Sequence, residues 1–285
     1  MQETRDTKPL RQSFVLFRAS LRLCCHQPHW IAYPSLGLVA AVALAWVLPQ
    51  AYTESPTIAA ASLGPPALGV LSQLYPGAMN HLGVLALVAS IFVTLAVLFF
   101  EAALAHAVLK RLDGQRMGMR TAMAVARRCV PSLIGFSSFS VAVGHLFFLL
   151  ADRHAGVAAV ALHVAWQVWT LATFLIVPVI VAEDEPSGTS LRRSALLFAN
   201  NWKPVLFADA LVHLVAAAMI FLLWLGLRQA SAPLLDLPVA ATALLAVACV
   251  AALSLLRTVH TCVVYRWITA GTAPAPRDHV TGPDT

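Results

Sequence analysis

Three ionisable side chains stand inside long apolar stretches of this 285-residue chain: Glu101, Asp209 and Arg257. A charge at the centre of a bilayer costs about 2.5–3.5 kcal/mol on insertion scales, so each one asks for a partner or a hydrated cavity. Glu101 and Arg257 lie roughly two helical turns from the basic ends of their stretches, and Asp209 lies about one and a half turns inside its own. All three therefore fall at similar depth, where one arginine can bridge one or both carboxylates. His213 stands at i+4 from Asp209 and His260 at i+3 from Arg257, so each pair shares a helix face. Two readings fit. In one, Arg257 and Asp209 form a buried pair that pins two helices, with Glu101 as a neighbour or turned toward the interface. Such pairs specify register better than they add stability. In the other, Glu101, Asp209, His213, Arg257 and His260 line a cavity for an ion, a proton or a lipid headgroup.

Other groups carry weaker chemistry. His145 and His163 fall in adjacent antiparallel stretches and can meet, but two imidazoles without a third ligand make a poor metal site. Polar residues bonding across helices account for them better. Ser137, Ser138 and Ser140 lack a Gly-x-Ser-x-Gly elbow, and His145 at i+5 from Ser140 is on another face. Small hydroxyls that let helices approach closely are the better account. Cys24 and Cys25 are adjacent, with no partner at zinc-site spacing. No cysteine falls in an expected external loop, so no disulfide is expected. No enzyme activity, metal or cofactor is expected.

The elements that position these groups are read from hydropathy. Only 11% of the chain is charged and 59% is hydrophobic, against about 25% charged in soluble domains. Six apolar stretches, at about 30–51, 81–108, 131–150, 157–182, 204–227 and 237–264, are each long enough to cross a membrane. They are continuously apolar and do not alternate, which argues against a β-barrel. The expected fold is all-α: a six-helix transmembrane bundle over 30–271, a basic amphipathic segment at 1–29 and a disordered cytoplasmic tail at 272–285. The first 29 residues lack a short apolar core with a cleavage site, so the first span is expected to be an uncleaved anchor. Residues 56–77, with Gly64-Pro65-Pro66 and Tyr75-Pro76-Gly77, read as a turn-rich loop.

Basic residues fix the expected orientation. Sixteen of the 19 Lys and Arg residues lie before the first span, after the second, after the fourth or at the C-terminal end. The opposite loops hold only Arg153 and Arg228. The positive-inside rule then places both termini in the cytoplasm of a cell (inner) membrane protein. The net charge of +6 is laid along a membrane face, where anionic lipid attracts each Lys or Arg by about 1 kcal/mol. Nucleic acid is not an expected partner, since no stacking platform or recognition helix accompanies the charge.

A threefold pattern runs through the basic segments. Leu10, Phe14, Phe17, Leu21 and Cys24 share one helical face, and Arg11, Arg18 and Arg22 another. Leu191, Ala195, Phe198 and Trp202 form a stripe opposite Arg192 and Arg193, and Arg116, Arg120 and Arg127 align on a less regular helix. Each segment reads as an interfacial helix whose arginines contact anionic headgroups. Each precedes a span that opens near Trp30, Pro131 or Pro204. The acidic run Glu183-Asp184-Glu185 disfavours a helix C-terminus, so the chain turns there and restarts near Ser187 or Thr189. Pro178 is the candidate break away from a span's start.

The segments 14–23 (FVLFRASLRL), 99–114 (FFEAALAHAVLKRLDG), 165–181 (AWQVWTLATFLIVPVIV) and 190–202 (SLRRSALLFANNW) resemble an uncharacterised bacterial integral-membrane family. The likeness is spread over nearly the whole chain. It is looser to the membrane domains attached to some glycerophosphodiester phosphodiesterases, whose soluble catalytic domain has no counterpart here. The resemblance implies topology and no chemistry. The expected function is non-enzymatic, through lipid or protein contacts in membrane organisation or assembly. The alternatives are a small transporter or channel using the polar cluster and, more weakly, an intramembrane enzyme.

Overall fold

The structure is a computed structural model that describes residues 9–50, 83–153, 157–230 and 239–270. Arg5, Lys8, Arg277, the expected loop at 56–77 and the expected tail at 272–285 lie outside the described residues. The described residues are all-α, without a strand. Helix α1 (Pro9–His26) leads through a short 3-10 helix (Pro28–Ile31) into α2 (Ala32–Gln50). Then come α3 (Gly83–Leu112), α4 (Met119–Arg128), α5 (Val130–Arg153), α6 (Val157–Ala172), α7 (Ile176–Glu183), α8 (Ser187–Ala230) and α9 (Val239–Ala270).

Every expected span overlaps a helix, but among the described residues length and apolarity qualify fewer than six. Among the described residues, four stretches are long and apolar enough to cross a membrane: Leu87–Leu112, Val130–Phe147, Val160–Glu183 and Val247–Ala270. A fifth is the pair Ser187–Phe207 and Asp209–Phe221, bent by 42°. The first expected span is represented by a shorter apolar helix, Pro28–Leu44. The bent pair has a local origin. Asn201 leaves helical geometry (φ −132°, ψ 26°), and Pro204 has no N–H to continue the ladder. The Asn201 side-chain amide donates to the Leu197 carbonyl at 3.0 Å, and the Ser13 hydroxyl donates to the Pro204 carbonyl at 3.1 Å. Two carbonyls near the kink thus keep partners.

Pro178 has the effect its position suggests, displaced by one turn. The chain tightens into 3-10-type bonds at residues 173–176, with Phe174 N–H donating to Leu171 and Ile176 N–H to Thr173. A proline ring clashes with the carbonyl four residues back, and here that residue is Phe174. The break therefore separates α6 from α7. Its Ala172 carbonyl accepts a 2.7 Å hydrogen bond from the fully buried Ser194 hydroxyl of α8. The acidic turn follows, with Asp184 in the left-handed region (φ 51°), and α8 starts at Ser187.

Helix α3 is the centre of the bundle and packs against α2, α4, α5, α7 and α9. Its Ala102-Ala103-Leu104-Ala105 run is fully enclosed, because small side chains let neighbouring backbones come close. Leu175 at the start of α7, Val179 and Ile180 within it, and Val259, Cys262 and Val263 of α9 complete this core. The core lies toward the end of the helices that bears the 113–118 and 184–186 turns. Toward the opposite end, Val39, Val88, Phe92, Leu146, Val160 and Ile220 are exposed, a surface suited to an apolar medium.

The basic helices are docked on the bundle by faces that hydropathy alone did not single out. Helix α1 packs on α8 and α9 through Ser13, Leu16, Phe17 and Ser20, all buried. Phe14 and Leu21, expected on the same face as Phe17, are instead 59% and 38% exposed. They adjoin Arg11, Arg18 and Arg22, which are exposed as well. The first turns of α8 bury Ser190, Ser194 and Leu197, leaving Leu191, Ala195 and Phe198 half-buried and Trp202 exposed. Helix α4 buries Ala122 and Ala126 and exposes Arg120 and Arg127. Arg116, expected to align with them, precedes α4 in the turn and is on no helix.

Candidate functional site

The expected polar cluster is divided between two neighbourhoods. Glu101 comes from the central helix α3, Asp209 and His213 from α8 beyond its kink, and Arg257 and His260 from α9. The Ser254 hydroxyl hydrogen-bonds the Glu101 carboxylate, and the charge of Arg257 is felt by both Glu101 and Asp209. Arg257 forms a contact ion pair with neither, and it is exposed rather than buried. The expected buried Arg257–Asp209 pair is therefore replaced by another. His213 Nδ1 lies 3.2 Å from Asp209 Oδ2, with the imidazole 64% and the carboxylate 13% exposed. The same nitrogen is 3.0 Å from the Asp209 carbonyl. An i,i+4 contact needs no second helix, so this pair forms at no cost in interhelical order.

His260 belongs elsewhere. Residues at i and i+3 differ by about 60° around a helix, and α1 lies against that side of α9. His260 is fully buried, with Nδ1 3.0 Å from the Ser20 hydroxyl and the ring edge-on to Phe17 at 6.1 Å. Ser20 in turn donates to the Leu16 carbonyl at 2.9 Å. His260 Nε2 is buried without a partner among the described residues. This is a docking contact for α1, made through a serine that is itself fully enclosed.

A second polar network lies at the basic end and was not visible as a site. Glu183 Oε1 accepts from the Tyr265 hydroxyl at 3.0 Å and from Arg193 Nε at 3.4 Å. Arg266 Nη2 lies 2.6 Å from Asp113 Oδ1. Adjacent residues of α9 thus tie down the ends of α7 and α3. Arg193, expected as a headgroup contact, shares itself with a carboxylate, whereas Arg192 is exposed with no contact ion pair among the described residues. The signal in the sequence was the Tyr265-Arg266 pair at the foot of one span, opposite carboxylates at the feet of two others.

Two thiols at this end are held protonated. Burial pushes the Cys24 thiol up to about 12, with the neighbouring Cys25 adding to the effect. Burial also raises Cys129, helped by the negative charge of Asp184. Neither suits a nucleophile. His145 turns to the Val141 carbonyl of its own helix at 3.1 Å, and His163 pairs with Gln167 at 3.4 Å. Ser137 is buried and donates to the Ile134 carbonyl at 3.0 Å. No group of three or more metal-ligating side chains occurs among the described residues.

No curated protein and no solved structure matches the chain. Residues 81–275 match a family of unknown function (DUF6159). That stretch contains Glu101, Asp209, His213, Arg257 and His260 together with the Glu183–Tyr265 and Asp113–Arg266 ties. The chain, with α3 to α9 and both polar networks inside the matched region, belongs to this family of unknown function.

Proposed function

We propose that the protein is a six-span, non-enzymatic component of the cell (inner) membrane, with both termini in the cytoplasm. It acts there through anionic lipid and protein partners in membrane organisation or assembly. The observation that carries this reading is α1: one face is packed on the bundle, and exposed Phe14 and Leu21 adjoin exposed Arg11, Arg18 and Arg22. That arrangement suits a helix lying at the hydrocarbon–headgroup boundary. A threefold unit is supported by the small residues that α1, α4 and α8 each turn to the bundle: Ser13 and Ser20, Ala122 and Ala126, Ser190 and Ser194. The test is hydrogen exchange of the full chain in nanodiscs of phosphatidylcholine with and without phosphatidylglycerol. Protection of α1 rises with the anionic lipid, by an amount set by about 1 kcal/mol per arginine, and R11Q/R18Q/R22Q abolishes the rise. Equal protection in both lipids would exclude the reading.

One observation favours a second reading, transport through the polar cluster. Arg257 is exposed although its charge reaches two carboxylates at similar expected depth, as in a cavity open to water. In a background without native cysteines, Asp209→Cys and Arg257→Cys are exposed to a membrane-impermeant thiol reagent in inside-out vesicles. Fast labelling of both supports the cavity, and protection of both excludes it.

A further inference from the structure

A cleft of about 390 Å³ opens at the basic end, between the α1–α2 link and the turn after α3. Its volume falls within the roughly 300–1,000 Å³ range of small-ligand sites. Gln27, His29 and Trp30 form one wall, and Arg111, Gln115 and Arg116 the other. The second wall is shaped by a helix C-terminal cap. Gly114 adopts φ +83°, its N–H donates to the Arg111 carbonyl at 3.0 Å, and Gln115 N–H donates to Lys110 at 2.9 Å. This pattern folds the chain back over the last turn of α3, so that Arg116 lines the same cleft as Arg111.

The lining is rich in donors and contains no carboxylate. Asp113, the acidic residue of the turn, is engaged by Arg266. No contact ion pair involves Arg111 or Arg116 among the described residues. Two arginines without a contact ion pair among the described residues, a histidine and two glutamines line one cleft, and guanidinium groups take phosphate in bidentate fashion. We propose that this cleft binds a phosphate group, either the headgroup of an anionic phospholipid or a small soluble phosphate ester. The lipid form rests on the membrane orientation proposed above; the phosphate chemistry does not.

The test uses the full chain in detergent. Phosphatidic acid, phosphatidylglycerol and phosphatidylcholine are titrated and bound lipids counted by native mass spectrometry. Inorganic phosphate and glycerol 3-phosphate are titrated separately by calorimetry. R111Q/R116Q is compared with R120Q/R128Q, which removes equal charge outside the cleft, and with His29→Ala, an exposed position that leaves both arginines in place. One saturable site weakened about tenfold or more in R111Q/R116Q, and also weakened in His29→Ala, but nearly unchanged in R120Q/R128Q is the expected result. If that site takes anionic lipid and free phosphate does not compete, the ligand is a headgroup. If phosphate or its glycerol ester binds alone with the same variant pattern, the ligand is soluble. Equal affinities in parent, R111Q/R116Q and His29→Ala would overturn the proposal. So would equal losses in R111Q/R116Q and R120Q/R128Q, which would mean diffuse charge attraction. A cleft site that survives R11Q/R18Q/R22Q while the α1 exchange effect fails would separate this inference from the broader reading.

Discussion

Ser194 of α8 donates its hydroxyl hydrogen to the carbonyl of Ala172, 22 residues earlier and on the far side of the acidic turn. The bond closes the carbonyl that the α6–α7 break leaves open, and it does so from a fully buried side chain. Ser194→Ala removes the donor and strands that carbonyl. A buried group left without its partner costs about 1–3 kcal/mol. The variant is expected to melt earlier than the parent in detergent, and an unchanged melting temperature would show that the break is satisfied otherwise.

Gly114 sits at φ +83°, with nothing within 4 Å of where a Cβ would be. Replacement by alanine meets no clash, so its cost is purely that of the left-handed backbone, about 1 kcal/mol. Gly114→Asn, which tolerates this region better, is expected to fall between the two. Thermal denaturation of the three proteins checks the order.

Glu101, Ser254 and Arg257 form a linked set in which the arginine makes no contact ion pair among the described residues. Glu101→Gln and Arg257→Gln are each expected to destabilise, and the double variant by less than the sum. A coupling of about 1 kcal/mol is expected for residues of one polar network. Strict additivity in a double-mutant cycle would mean that the arginine serves solvent or ligand and not the carboxylate.

Cys24 is expected to stay a thiol until the pH nears 12, because burial opposes its thiolate. Maleimide at mild alkaline pH therefore labels Cys25, which is exposed, far faster than Cys24 in single-cysteine variants. The linkage has a definite sign. The raised value means the folded chain retains a proton that the unfolded chain releases from about pH 9 upward. Stability from this group is complete below that pH and declines as the pH rises toward 12. A Cys24→Ser variant removes that decline in alkaline melts.

The apolar helices, the Pro178 break and the restart at Ser187 were legible because each depends on local chemistry: a run of apolar residues, a missing N–H, an acidic turn. Of the six expected spans, four, or five with the bent pair, are long and apolar enough to cross a membrane among the described residues. The faces of the surface helices were not legible. Phe14 and Phe17 are equivalent by hydropathy, yet one is exposed and the other buried, since only the position of α8 and α9 decides between them. Ser13, Ser20, Ser190 and Ser194 carried no apolar signal and are nevertheless the buried stripe. His260 illustrates the same limit. Its spacing from Arg257 permitted a shared site, but the approach of α1 gave it to Ser20. The Glu183–Tyr265–Arg193 contact joins residues far apart in the chain, and pairings of that kind follow from helix order rather than from local pattern.

The hydrogen bond at the α6–α7 break also makes α8 a lever. Ser194 lies on the part of that helix before the Asn201 kink, and Asp209 lies beyond it. Any shift of the first turns of α8 would act on Ala172, where the helical ladder of α6 ends. If the first turns of α8 lie at a bilayer surface, as proposed, their displacement would reach the α6–α7 break through Ser194, with the Asn201 kink between them and Asp209.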